Sequence, residues 1–139
     1  MNIKEREFDA TGKVMEEAKN LRYKRRETHE AINYIEKNYP QTAKEFQRLQ
    51  FEQYLLFCRK QMDYGPSNIS MGTPLKTEDE KRLSLVGLIV RVNDKIQRLL
   101  NLIVKNNREA QNEPTIDAFK DLACYGIIAQ IVQNGKWGK

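Results

Sequence analysis

The stretch from Thr77 to Ile103 does most to limit what this chain can fold into. Thr77 and Glu80 stand at capping-box spacing, in which a hydroxyl and a carboxylate satisfy backbone N–H groups that a first helical turn leaves unpaired. Leu85, Ile89, Val92, Ile96, Leu99 and Ile103 then follow at alternating steps of four and three, which keeps them on one side of a helix with 3.6 residues per turn. The spacing predicts one long helix with that stripe in the core. Only 7 Gly and 4 Pro punctuate 139 residues, and no alternating strand pattern, internal repeat or low-complexity tract is present. The expected fold is all-α, a bundle-like domain of about four helices with a long N-terminal helix.

From Glu5 to about Asn38 only Gly12 interrupts, and Val14, Ala18, Leu21, Ile32 and Ile35 recur at helical spacing. So thin a stripe buries little by itself. Residues 1–38 are therefore read as a packing or oligomerisation arm, residues 39–139 as the domain proper, and the protein as a homo-oligomer. Phe46, Leu49, Phe51, Leu55, Leu56, Phe57, Cys58 and Met62 make the next segment apolar around much of its circumference, as a central helix would be. It should stop at Gly65 and Pro66, the first suited to a left-handed cap and the second unable to continue a helix. Ile116, Phe119, Ala123, Ile127 and Ile131 mark a last helix, begun around Pro114 and ended near Gly135.

A single histidine, His29, and two distant cysteines, Cys58 and Cys124, leave no basis for a Cys/His zinc site or CxxC redox chemistry and argue against a Ser-His-Asp triad. The longest apolar run, Leu83 to Val90, is far short of the roughly 20 residues of a membrane span. No membrane partner is expected, and a reducing cytoplasm is the expected compartment. The net charge of +5 favours an anionic partner without separating nucleic acid from a small phosphate ligand.

Two polar constellations stand out. Gly87, Arg91, Asp94, Arg98, Asn101 and Lys105 repeat the four-three alternation on the polar side of the third long helix, with Lys95 beside Asp94. Left to itself this is a solvated face with an i, i+4 pair worth about 0.2–0.5 kcal/mol. Glu113, Asp117, Asp121 and Tyr125 follow at i+4 steps, each turning about 40°. The benefit of acids at a helix start serves Glu113 and Asp117 but has faded by Asp121, whereas a divalent metal accounts for all three carboxylates. A short connection makes the two helices antiparallel neighbours, setting cations near acids as a nucleoside phosphate site requires.

Three ordered motifs then carry a resemblance: Lys60-Gln61-Met62-Asp63-Tyr64-Gly65; Asn93-Asp94-Lys95-Ile96-Gln97-Arg98-Leu99; and Glu113-Pro114-Thr115-Ile116-Asp117 with Asp121-Leu122-Ala123-Cys124-Tyr125. Over about residues 50 to 133 the chain resembles the phage and prophage family called nucleotide-modification-associated domain 1. More loosely it is similar to MazG-like all-α nucleotide pyrophosphohydrolases, although the E-E-x-x-E helix of those enzymes is absent. The resemblance implies a nucleotide or nucleotide-derived partner and a place in the bacterial host cytosol. It implies Mg²⁺ or Mn²⁺ held by Asp94, Glu113, Asp117 and Asp121, with Asp94, Glu113 and Asp117 as catalytic carboxylates. Lys60, Asp63, Tyr64, Asn68, Arg91, Lys95 and Arg98 would then contact the nucleotide and its phosphates.

The most direct expected activity is metal-dependent hydrolysis of a nucleoside triphosphate. The missing acidic motif favours a rival, a protein that binds and sequesters a nucleotide or cyclic nucleotide unaltered, as one countering host defence would. A third reading is a helical DNA-associated module resting on Lys19, Arg22, Lys24, Arg25 and Arg26 around Tyr23. Glu16, Glu17, Glu27 and Glu30 flank that run, so a solvated face is preferred and nucleic acid is not an expected partner. Gly87 and Gly126 are read as sites of close helix packing. Trp137, in a glycine-flanked tail, is left open between disorder and a contact to a neighbouring subunit or a base.

Overall fold

A computed structural model describes residue 24 and residues 26–139, and every described element is helical. Helical residues 26–38 form α1. Then come α2 (Pro40–Tyr64), the single turn α3 (Ser67–Ser70), α4 (Glu78–Leu99) and α5 (Thr115–Gln133). A π-helical segment, Leu100–Lys105, continues α4 without a break. The all-α expectation holds, with α3 added to four longer helices. Val14, Ala18, Leu21 and most of the N-terminal basic run lie outside the described residues.

The chain forms two compact units, Met1–Gln50 and Phe51–Lys139, so the division falls inside α2 rather than at the expected boundary after residue 38. In the first unit Gln47 Nε2 donates to Glu36 Oε1 at 3.4 Å and Arg48 pairs with Glu45 at 2.5 Å.

The second unit begins with the half of α2 that ends as its sequence dictates. Gly65 takes φ +64° and its N–H donates to Gln61 O at 2.9 Å. Thr77 Oγ1 accepts from Glu80 N at 3.2 Å, and Glu80 Oε2 accepts from Thr77 N at 3.3 Å, completing the capping box that opens α4. α5 starts at Thr115 behind an extended Pro114 (ψ 147°), so Glu113, the first acid of the expected row, lies before the helix.

The core gathers Ile69, Leu88, Ile128, Val132 and Trp137, with Phe57, Leu75, Leu85 and Tyr125 packed against it. Trp137 is 7% exposed and donates Nε1–H to Pro66 O at 3.0 Å, which settles its place as a core residue.

Both long helices are turned away from their expected faces. Along α4 and its continuation the inward line is Ser84, Leu88, Arg91, Lys95, Arg98 and Leu102; of the expected stripe Leu85, Val92 and Leu99 stay half-buried, while Ile89, Ile96 and Ile103 are exposed. That line sits one residue before the expected stripe, a rotation of about 100°. In α5 the inward line runs Ala118, Asp121, Tyr125, Ile128 and Val132, and Ile116, Phe119 and Ile127 face outward. Polar pairing fixes the rotation: buried Ser84 donates to Ile69 O at 2.6 Å, and Lys95 meets Asp121 across the α4–α5 contact. α2 departs from expectation too, for it buries no residue. Phe57 reaches the core, whereas Phe46, Phe51 and Met62 are exposed.

Candidate functional site

A cavity of about 320 Å³ opens within the second unit between the end of α2, α3 and the inner faces of α4 and α5. Helical spacing brings Phe57, Lys60, Gln61 and Tyr64 to it along one face of α2, and Arg91 and Lys95 one turn apart on α4. Asn68 of α3 and Asp121, Cys124 and Tyr125 of α5 complete the polar wall. Three cations thus face one carboxylate, among three aromatic rings.

Asp121 is the hub. Its Oδ1 lies 3.0 Å from Lys60 Nζ and its Oδ2 lies 2.7 Å from Lys95 Nζ, and its side chain is only 16% exposed. Burial opposes ionisation, yet the hydrogen bonds from Lys95 and Lys60 outweigh it and hold the carboxyl below its ordinary value. Burial opposes the charge on Lys60 as well, but the bond to Asp121 wins and its pKa is raised. Lys95 is raised by the same carboxylate against a smaller burial effect. All three groups are charged near neutral pH. The partly buried thiol of Cys124 is pushed up by burial, so it is poorly suited to act as a nucleophile.

Arg91 Nη2 donates to Asn68 O at 3.0 Å, tying α4 to α3 at the cavity wall. Asn68 Oδ1 is buried without a hydrogen-bond partner. An orphaned acceptor beside a cavity is costly unless a guest donates to it.

Six of the residues expected at the site therefore share one cavity: Lys60, Tyr64, Asn68, Arg91, Lys95 and Asp121. Arg98 stands apart, donating through Nη2 to the Glu113 carbonyl, with its Nη1 buried and unpaired. Asp63, Asp94 and the Glu113 side chain are exposed outside the cavity. Asp117 lies 3.9 Å from Lys120 of its own helix. The carboxylates thus separate: Asp121 turns inward to two ammonium groups, and Glu113 precedes the helix. Among the described residues no three His, Cys, Asp or Glu side chains gather as a metal centre needs. The Mg²⁺ or Mn²⁺ expectation rests on the sequence.

Phe57, Gln61, Cys124 and Tyr125 escaped the sequence reading as site residues. Phe57, Lys60/Gln61 and Tyr64 follow the i, i+3/i+4, i+7 pattern of one face, a usable signal masked by the apolar run around it. A larger cavity of about 510 Å³ lies at the α4–α5 connection, but it gathers none of the expected site residues. Of the N-terminal basic run, Arg26 pairs with Glu30 at 3.6 Å, both largely exposed. Gly87 is packed tightly, a Cβ there meeting Met71 Sδ at 3.3 Å, whereas Gly126 faces open space. Gly87 is thus crowded by a side chain from the turn after α3, and neither glycine marks a close approach of two helices. Among the described residues no helix is long and apolar enough to cross a membrane. Comparison with family models, curated proteins and solved structures gave no match.

Proposed function

We propose that this protein binds a nucleotide or nucleotide-derived molecule in the Lys60–Lys95–Arg91 cavity, in a bacterial host's cytoplasm. The observation that carries the reading is the excess of cations over carboxylate at one cavity with aromatic walls. Ammonium and guanidinium groups suit phosphate oxygens, and Tyr64, Tyr125 and Phe57 offer ring faces to a base. The orphaned Asn68 Oδ1 asks for a donor, such as an exocyclic amine or a sugar hydroxyl. Asp121 pre-orients both lysines and keeps them charged, so an arriving phosphate meets donors already in place.

Binding without turnover is favoured by Asp121, the one carboxylate among the described residues lining the cavity, being already paired with Lys60 and Lys95 rather than open to a metal or a water. Hydrolysis of a phosphoanhydride with Mg²⁺ or Mn²⁺ is the second form, favoured by Asp121 in the cavity wall. One experiment decides both. The protein is titrated calorimetrically with mono-, di-, tri- and cyclic nucleotides, with and without Mg²⁺ and Mn²⁺, and the bound fraction is analysed after denaturation. Intact ligand whose binding weakens at least tenfold in K95A supports sequestration; cleaved ligand supports hydrolysis. No binding by any nucleotide, or equal binding in K60A and K95A, overturns the proposal.

A further inference from the structure

α4 is apolar on the side that faces away from its own core. Val86, Ile89, Ile96 and Leu100 are 49%, 65%, 42% and 37% exposed, and Asn93 between them is exposed too. Their steps of three, four, three and four are the a/d repeat of a helix made to pair with another helix. Leu83 and Val90 widen the seam on one side. The inner side meanwhile carries Arg91, Lys95 and Arg98, so the outward apolar face cannot be explained as misplaced core.

We infer that this face binds a second copy of the chain, α4 against α4, antiparallel and two-fold about Asn93. Area is the first argument. The exposed parts of the six apolar side chains come to on the order of 500 Å² per copy, near the upper end of what a monomer exposes. A standard interface takes about 800 Å² from each partner, and in homodimers about 65% of that is apolar, which is the same quantity.

Charge is the second. Glu78, Asp79, Glu80, Lys81 and Arg82 at the start of α4 sum to −1, with Lys81 paired to Glu78 at 2.7 Å, and Lys105, Arg108 and Glu109 at its far end sum to +1. An antiparallel pair therefore sets a mildly acidic end beside a mildly basic one, whereas a parallel pair sets like ends together. Asn93 is the third. It lies midway between Val86 and Leu100 and is the one polar residue of the seam, where a lone amide fixes register and limits the number of helices. Its Oδ1 accepts only a long 3.4 Å bond from Gln97, leaving capacity for its counterpart across the axis.

The test uses the full chain. Sedimentation over a micromolar concentration range should give twice the 16.3 kDa chain mass, and I89E should return the single-chain mass with helical circular dichroism retained. Should I89E fail to fold, disulfide trapping decides in chains whose Cys58 and Cys124 are replaced by serine. V86C and L100C should cross-link when mixed and not when alone. A wild-type monomer, a mass that I89E leaves unchanged in a folded protein, or V86C linking to itself would each overturn the inference. A monomer would mean that a different protein takes the face.

Discussion

Lys95 Nζ lies 2.7 Å from Asp121 Oδ2 while Lys60 Nζ lies 3.0 Å from the other oxygen of the same carboxylate. One acid from α5 thereby fastens the end of α2 and the middle of α4 to itself. Helices that would otherwise turn their apolar stripes inward are held with cations between them.

The first prediction concerns pH. Asp121 is held below its ordinary 3.8, so its contribution to stability is present above that value and lost as pH falls through the lowered pKa. Lys60 and Lys95 are raised above 10.5, so theirs is present below that value and lost as pH rises through the raised ones. The pair should therefore stabilise the fold across the whole interval between. D121N should cost about 1–2 kcal/mol at pH 7, less than a wholly buried pair because Lys60 is half exposed. Urea unfolding at pH 7 and at pH 2.5 checks this: the D121N deficit should shrink at the lower pH, and an equal deficit at both would refute it.

Asn68 gives a prediction that separates binding from folding. Its Oδ1 makes no hydrogen bond within the protein, so N68A removes an unsatisfied acceptor and should leave stability unchanged or raise it by up to about 1 kcal/mol. A bound nucleotide that donates to this oxygen should lose about tenfold in affinity, or about 1.4 kcal/mol. Calorimetry and thermal melts on the same variant give both numbers, and an affinity equal to wild type would remove Asn68 from the site.

These two cases show what the sequence disclosed. The capping box of Thr77 and Glu80, the Gly65 stop and the helical class follow from local chemistry, which a single segment contains. That Arg91 and Lys95 would lie near Asp121 was legible because spacing put each on a helix face and a short link made α4 and α5 neighbours, whereas Lys60 entered only through the resemblance. Which face turned inward was not legible. α4 carries apolar residues at two sets of helical spacings, and a long-range bond, Ser84 to Ile69 O, together with the ion pair to Asp121, selects between them. Nor could spacing foresee that Asp121 would leave the Glu113–Asp117 row, since its partner Lys60 is 61 residues away.

Two glycines should respond oppositely to alanine. Gly126 sits in α5 with nothing near a new Cβ, so G126A should stabilise by roughly 0.5–1 kcal/mol through helix propensity alone. Gly65 also has open space, but at φ +64°, where a Cβ is strained. G65A should therefore destabilise by about 1 kcal/mol or more. Denaturant midpoints for the two variants test the contrast, and equal signs would contradict it.

Trp137 links stability to the site. Its ring meets Phe57 edge-on, centroids 6.2 Å apart at 68°, while Nε1–H serves the Pro66 carbonyl. Phe57 in turn lines the cavity. W137A should cost about 3–5 kcal/mol by emptying a core position. W137F, which keeps one aromatic ring but loses the N–H donor and the five-membered half of the indole, should cost about 1–3 kcal/mol, less than W137A. If the tail holds Phe57 in the cavity wall, nucleotide affinity should fall in W137A and stay near wild type in W137F, both measured below their unfolding midpoints. A W137A protein that melts like wild type would show that the last residues do not close the core.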